Sequence, residues 1–241
     1  MRGTLINAGA IAAGAALGIT AGRWIPPVAE TVVLDGLGLL VLGIGMRPLL
    51  QSKNILIVAA SIAVGGLVGL AIGINVGIGN LAAWAKHGLG GGGKFTEGMV
   101  ATTILYCVGP MTVMGCLQDG LEGRSELLGI KSVMDGVSAI FFAAAMGAGV
   151  LVTSAIVLVF QGLLTLLARP LRRLAQDTDM MREMGAAGGV LQLGIALGLL
   201  DLKDVAVANY LPALIIAPAL VVLSRKFGRQ PDAPQTPGLP D

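Results

Sequence analysis

The chain has 241 residues, of which 55% are hydrophobic and 12% charged, with a formal net charge of +2. Soluble domains carry about 25% charged residues, so half that share together with long apolar runs excludes an ordinary water-soluble globule and places the chain among integral membrane proteins. A single histidine, His87, and two cysteines without zinc spacing argue against a metal or cofactor centre, and no basic run with interleaved aromatics points to nucleic acid.

About 20 apolar residues cross the hydrocarbon core. Eight runs are candidates: 5–21, 31–50, 55–78, 96–117, 132–147, 150–168, 184–200 and 205–223, with 132–147 short but adequate. The first follows Met1 and Arg2 in the manner of a signal peptide. Its Gly14, Gly18 and Gly22 supply a small-residue packing face instead, and it reads as a retained span. In the third run Gly65, Gly69, Gly73 and Gly77 recur every four residues, which predicts a helix–helix contact face rather than a nucleotide loop. Residues 86–95, with Gly88 and the glycines at 90–93, read as a flexible external loop.

The fourth run holds Pro110 beside Gly109. Proline donates no backbone hydrogen bond and clashes with the preceding turn, so a kink or break near mid-membrane is expected. Backbone freed at that depth is tolerated only inside protein or beside water, and half-helix ends bind ions. One reading makes Cys107, Gly109, Pro110 and Met111 the lining of a substrate or ion pathway, with Thr102 and Thr103 one or two turns away. The competing reading is a packing kink with threonines bonded to their own backbone. Cys107 and Cys116 lie nine apart, too far for an unstrained disulfide on one helix, and read as reduced and packed.

The fifth run opens with Lys131 and Asp135, four apart and so on one helix face, which Ser138 extends. A carboxylate about a turn inside the bilayer boundary is a functional candidate by default. The alternative is an interfacial pair with Lys131 snorkelling to the headgroups. Gln118 and Asp119, closing the fourth run, are expected to meet Lys131 across the short loop. The remaining intramembrane amides, Asn7, Asn75, Gln161, Gln192 and Asn209, suit interhelical hydrogen bonding. Gln161, at mid-span, also joins the pathway candidates.

Residues 132–168 form either one long helix or a hairpin turning at Gly147-Ala148-Gly149. The hairpin gives eight spans and puts twelve of the sixteen basic residues on one side, against ten in the fused alternative. The positive-inside rule therefore favours eight spans with both termini cytoplasmic in the inner membrane. Residues 169–183 become a charged cytoplasmic loop opened by Pro170. The assignment is one transmembrane domain over 1–224 and a cytoplasmic tail over 225–241, Pro-rich and polar from 230 onward and expected to be disordered.

Gly38-Leu-Leu-Val-Leu-Gly43-Ile44 resembles Gly189-Val-Leu-Gln-Leu-Gly194-Ile195. If this is a repeat, spans 1–3 map onto spans 6–8 with opposite orientation, the inverted-topology plan of many secondary transporters. Short Gly/Leu/Ile strings also match by chance, so both readings stay open.

Several segments together resemble one family. They are Gly3-Thr4 with Asn7; Cys107-Val-Gly109-Pro-Met111 with Gly115 and Gln118-Asp119-Gly120; Lys131-Ser132 with Asp135-Gly136; Gln161-Gly162; and Asn209-Tyr-Leu211-Pro212-Ala213-Leu214. The family is the bacterial inner-membrane domain-of-unknown-function family 554, and the likeness runs from residue 1 to about 224. Pro110 is a departure, the family commonly having alanine there. The resemblance implies a multi-span membrane protein of transporter type and names no substrate.

The expected fold is an all-α polytopic membrane bundle. The expected function is transport of a small solute or ion by a secondary transporter or channel, with no enzymatic activity, since no HExxH, serine-protease or paired-aspartate pattern occurs. The alternative is a structural or regulatory membrane subunit. Expected partners are the lipid bilayer, the solute or ion and, given the many small residues, a second copy of the chain.

Overall fold

A computed structural model describes residues 1–24, 26–89 and 94–227. The glycines at 90–93 and the tail beyond 227 lie outside the described residues. The elements are α1 (Arg2–Gly22), α2 (Pro27–Leu50), α3 (Ile55–Ile72), α4 (Ile74–Leu89), α5 (Phe95–Cys107), α6 (Pro110–Glu122), α7 (Glu126–Met146), α8 (Gly149–Leu166), α9 (Ala168–Gln176) and α10 (Thr178–Leu199). A 3₁₀ turn (Val207–Tyr210) and α11 (Ala213–Phe227) follow. Among the described residues there is no strand.

Three helix pairs organise the bundle, each through glycines where backbones meet. On α1, methyl groups at Gly14 and Gly18 would collide with the carbonyl oxygens of Gly136 and Ile140, and one at Gly22 would lie 2.5 Å from that of Ala144. The rising register on both helices makes α1 and α7 parallel. The helices α2 and α10 run antiparallel and touch at Gly45 and Gly189, each facing the other's carbonyl. The helices α3 and α11 are also antiparallel, with Gly65 against Ala213 and Gly69 against Asn209. Such close approach gives dispersion contact where lipid supplies no hydrophobic drive between helices. The centre is filled by Ile11, Val41, Tyr106, Phe142 and Val157, all nearly inaccessible.

Several sequence expectations are corrected. The third run does not continue to 78: Gly73 takes a left-handed conformation (φ 74°, ψ 34°) and caps α3. Gly73 and Gly77 face open space, so only Gly65 and Gly69 serve the contact face. Lys86 to Leu89 finish α4 instead of opening a loop. Residues 169–183 are helical: α9 is followed by Asp177, whose carboxylate accepts from the backbone of Asp179 and Met180 and starts α10. Residues 225–227 belong to α11 rather than to a tail. The hairpin reading holds, because α7 stops at Gly147 (φ 78°) and α8 starts at Gly149.

Six helices among the described residues are long and apolar enough to cross a membrane, and seven if the bent pair α5–α6 counts as one span. The run at 184–200 lies in α10, which has 22 residues but is not among them. Its Gly185-Ala-Ala-Gly-Gly189 segment is buried throughout. A helix walled off from lipid by its neighbours has no need of large apolar side chains.

Candidate functional site

The fourth run is broken. Helix α5 ends at Cys107, Val108 is extended, and Gly109 sits at φ 158°, ψ 153°, a conformation essentially reserved for glycine. Pro110 then opens α6, at the first helical position where its missing N–H costs nothing. The two halves are bent by 61°. The Thr112 hydroxyl donates to the Tyr106 carbonyl at 3.0 Å and closes one of the backbone groups the break exposes. Helix α10 supplies the room: a methyl on Gly185 would lie 2.9 Å from Pro110, and one on Gly188 2.5 Å from Val108. The break is thus sheltered by protein, as backbone at that depth requires.

Next to it lies a buried polar cluster. The Lys131 ammonium is 2.8 Å from Asp135, both side chains being nearly inaccessible. Asn7 on α1 donates through Nδ2 to Asp135 Oδ2 at 3.0 Å and to Gln161 Oε1 of α8 at 3.2 Å. Lys131 Nζ sits 5.9 Å from the centre of the Tyr106 ring, whose hydroxyl meets Ser138 at 3.0 Å. Asn7 Oδ1 and Gln161 Nε2 are buried without a hydrogen-bond partner. Thr4 and Thr165 pair at 3.2 Å between the same two helices, α1 and α8.

Of the residues picked out in the sequence, Lys131, Asp135, Ser138 and Gln161 come together here. The pair is buried, so the interfacial reading with Lys131 reaching the headgroups does not hold. Gln118 and Asp119 do not join: Gln118 accepts from the Leu127 N–H at 3.4 Å, and Asp119 accepts from the Gly3 N–H at 3.2 Å and the Met1 amino group at 2.6 Å. Main-chain donors take both side chains, and Lys131 is held by Asp135 on its own helix. Thr102 and Thr103 form a separate hydroxyl group with Thr153 of α8, at 2.8 and 3.4 Å. Thr102 also bonds its own helix at the Gly98 carbonyl, at 2.7 Å. Cys107 is a buried free thiol, while Gly109, Pro110 and Met111 are half-buried at the break. The sequence shows Asn7 as an interhelical amide and gives no sign of Tyr106 or Thr153; the available signal for Asn7 is that it shares a helix face with Gly14 and Gly18.

A sequence profile described as "Protein of unknown function (DUF554)" matches residues 2–222. The chain belongs to the DUF554 family. It is 27% identical to the uncharacterized membrane protein YdfK of Bacillus subtilis (strain 168), over 95% of this chain and 99% of that protein. It is 29% identical to the uncharacterized protein YqgA of Escherichia coli (strain K12), over 89% of this chain and 94% of that one. No solved structure matches it.

Two further features of this DUF554 protein lie at the two ends of α10. At one end the Glu183 carboxylate on α10, 2% exposed, accepts from the Ser52 hydroxyl at 2.6 Å and from the backbone N–H groups of Lys53 and Asn54 at 2.8 and 3.2 Å. This ties the α2–α3 turn to α10. Lys53 bonds Asp179, and Arg225 reaches both Asp177 and Asp179, extending the tie to α11. The guanidinium of Arg225 holds the Asp177 carboxyl below the usual carboxylate range, and Lys53 with Arg225 does the same for Asp179. Toward the other end is a cavity of about 420 Å³ between α2, α5, α10 and the segment 201–207. Its lining includes the apolar Val100, Ala101 and Ile195 and the charged Lys94, Glu97, Asp201 and Asp204.

Proposed function

We propose that this membrane protein is a secondary transporter for a small solute or ion. The observation that carries the reading is the broken α5–α6 span packed beside the buried Asn7–Lys131–Asp135–Gln161 cluster, whose amide groups are only partly satisfied. Charged groups within a bilayer are costly and recur where ions or solutes pass, and broken spans are where transporters place their sites. A purely structural cluster would gain by satisfying every polar atom.

The pairing of helices supports an inverted repeat of spans 1–3 and 6–8. Each span touches its counterpart in antiparallel fashion: α1 with α8 at Thr4–Thr165 and Asn7–Gln161, α2 with α10, and α3 with α11. That is the contact expected around a two-fold axis lying in the membrane plane. The parallel packing of α1 and α7 agrees with an odd number of crossings between them, the bent pair being the third after α2 and α3. We therefore read eight crossings, α10 included, with both termini cytoplasmic in the inner membrane. The Glu183 tie then closes the cytoplasmic side while the 420 Å³ cavity opens outward. The chain acts as a conduit and not as an enzyme. Gly36 and Gly43 of α2 face open space and would suit a second copy of the chain as well as lipid.

The test is electrical. Purified protein in liposomes is given steps of ions, amino acids and small carboxylates, with Asp135→Asn beside the wild type. Wild-type currents that vanish in a folded Asp135→Asn variant are the expected result. Full currents in the variant would remove Asp135 from the pathway. A wild type silent across the panel would favour the non-transporting subunit.

A further inference from the structure

In the buried cluster Lys131 Nζ contacts the Asp135 carboxylate, and the Asn7 amide links that carboxylate to Gln161. The Asp135 carboxylate offers two oxygens, both close to Lys131 Nζ, the contacts being 2.8 Å. Gln161 Oε1 and Asp135 Oδ2 lie on either side of Asn7 Nδ2, at 3.2 and 3.0 Å. The side-chain oxygen of Asn7, Oδ1, has no partner where it stands. A half-turn of that amide would lose Nδ2's two bonds and set Oδ1 facing Asp135 Oδ2 and Gln161 Oε1, three oxygens that only a cation among them would hold together. Asn7 and Gln161 are both wholly inaccessible. Carboxylate and amide oxygens are the ligands hard cations take, and a carboxylate at this depth needs a positive charge beside it. The ammonium supplies that charge, so the site is neutral as it stands. A metal ion added beside it would leave one uncompensated positive charge in a low-dielectric interior.

We propose that Lys131 is a tethered monovalent cation that neutralises Asp135 where the oxygens of Asp135, Asn7 and Gln161 could otherwise converge on a free cation, and that it keeps Na⁺ and K⁺ out of this site in the native chain. Lys131 thereby decides ion specificity: transport through this site runs without sodium or potassium coupling, and removing the lysine creates a site for a free alkali cation. The inference rests on the transport reading for its physiological meaning. Its test does not, because it reads binding and not flux.

The experiment is thermal unfolding of the detergent-purified chain in LiCl, NaCl, KCl or choline chloride at matched ionic strength. The proteins are wild type, Lys131→Ala and Lys131→Ala/Asp135→Asn. A ligand at a hundredfold excess over its Kd stabilises the folded state by about 2.7 kcal/mol. A saturating alkali cation should therefore raise the midpoint of Lys131→Ala by several degrees over choline. Wild type and the double variant should melt alike in all four salts. If Lys131→Ala folds only in an alkali salt, the proposal stands; if it folds in none, or folds and ignores the cation, the proposal falls. A cation response in the wild type or in the double variant also overturns it. Absent flux with an intact Lys131→Ala response would sink the transport reading alone.

Discussion

Replacing Glu183 probes the tie between the α2–α3 turn and α10. In Glu183→Ala the Ser52 hydroxyl and the N–H groups of Lys53 and Asn54 lose their acceptor together. A hydrogen bond to a charged group contributes about 1.5–3 kcal/mol. Ser52 to Asn54 are partly solvated, so water recovers part of the sum. A net loss of about 2–4 kcal/mol is expected, near the middle of what one hydrogen-bonded network supplies. Glu183→Gln keeps an amide oxygen for the two N–H groups and should lose about 1–2 kcal/mol. The assay is thermal unfolding in detergent, with thiol labelling of a Ser52→Cys probe. The expected order of stability is wild type, Gln, Ala, with labelling rising as stability falls. The Ser52→Cys probe itself removes one of the three bonds, so rates are compared within that background. Equal melting of wild type and Glu183→Ala would refute the reasoning, because a buried carboxylate with three donors would then contribute nothing.

Two further outcomes are expected. Gly14→Ala should lose at least the 1–3 kcal/mol typical of overpacking, since its methyl meets the Gly136 backbone, whereas Gly9→Ala, with nothing within 4 Å, should be neutral or slightly stabilising by unfolding in detergent. Asp177 has its carboxyl lowered by Arg225, so the stability from that contact is present above the ordinary aspartate range near pH 3.9 and is lost as pH falls through and below it. The melting difference between wild type and Arg225→Ala should therefore be constant above about pH 5 and shrink below about pH 4.

The membrane class, the break at Gly109-Pro110, the hairpin at Gly147 and the Lys131–Asp135 pair follow from local rules. Apolar length, proline's missing donor, glycine's extra conformations and the helical period each act within a few residues. For the same reason local rules do not show that the third run ends at Ile72. Gly73 looks like any other member of a four-residue glycine series, and only its left-handed conformation turns it from contact face into cap.

What the sequence determined by itself was therefore the membrane class and the places where the apolar runs break. Tertiary structure alone decided which polar groups share a site. Asp119 and Lys131 are near in sequence yet take different partners, while Asn7 and Gln161 are far apart and meet at 3.2 Å. Glu183 reads as a loop charge until the α2–α3 turn folds over it. The physical reason is that a buried polar group must find its complement in whatever the bundle brings to it, and that depends on helix register and crossing, which glycine contacts far along the chain set.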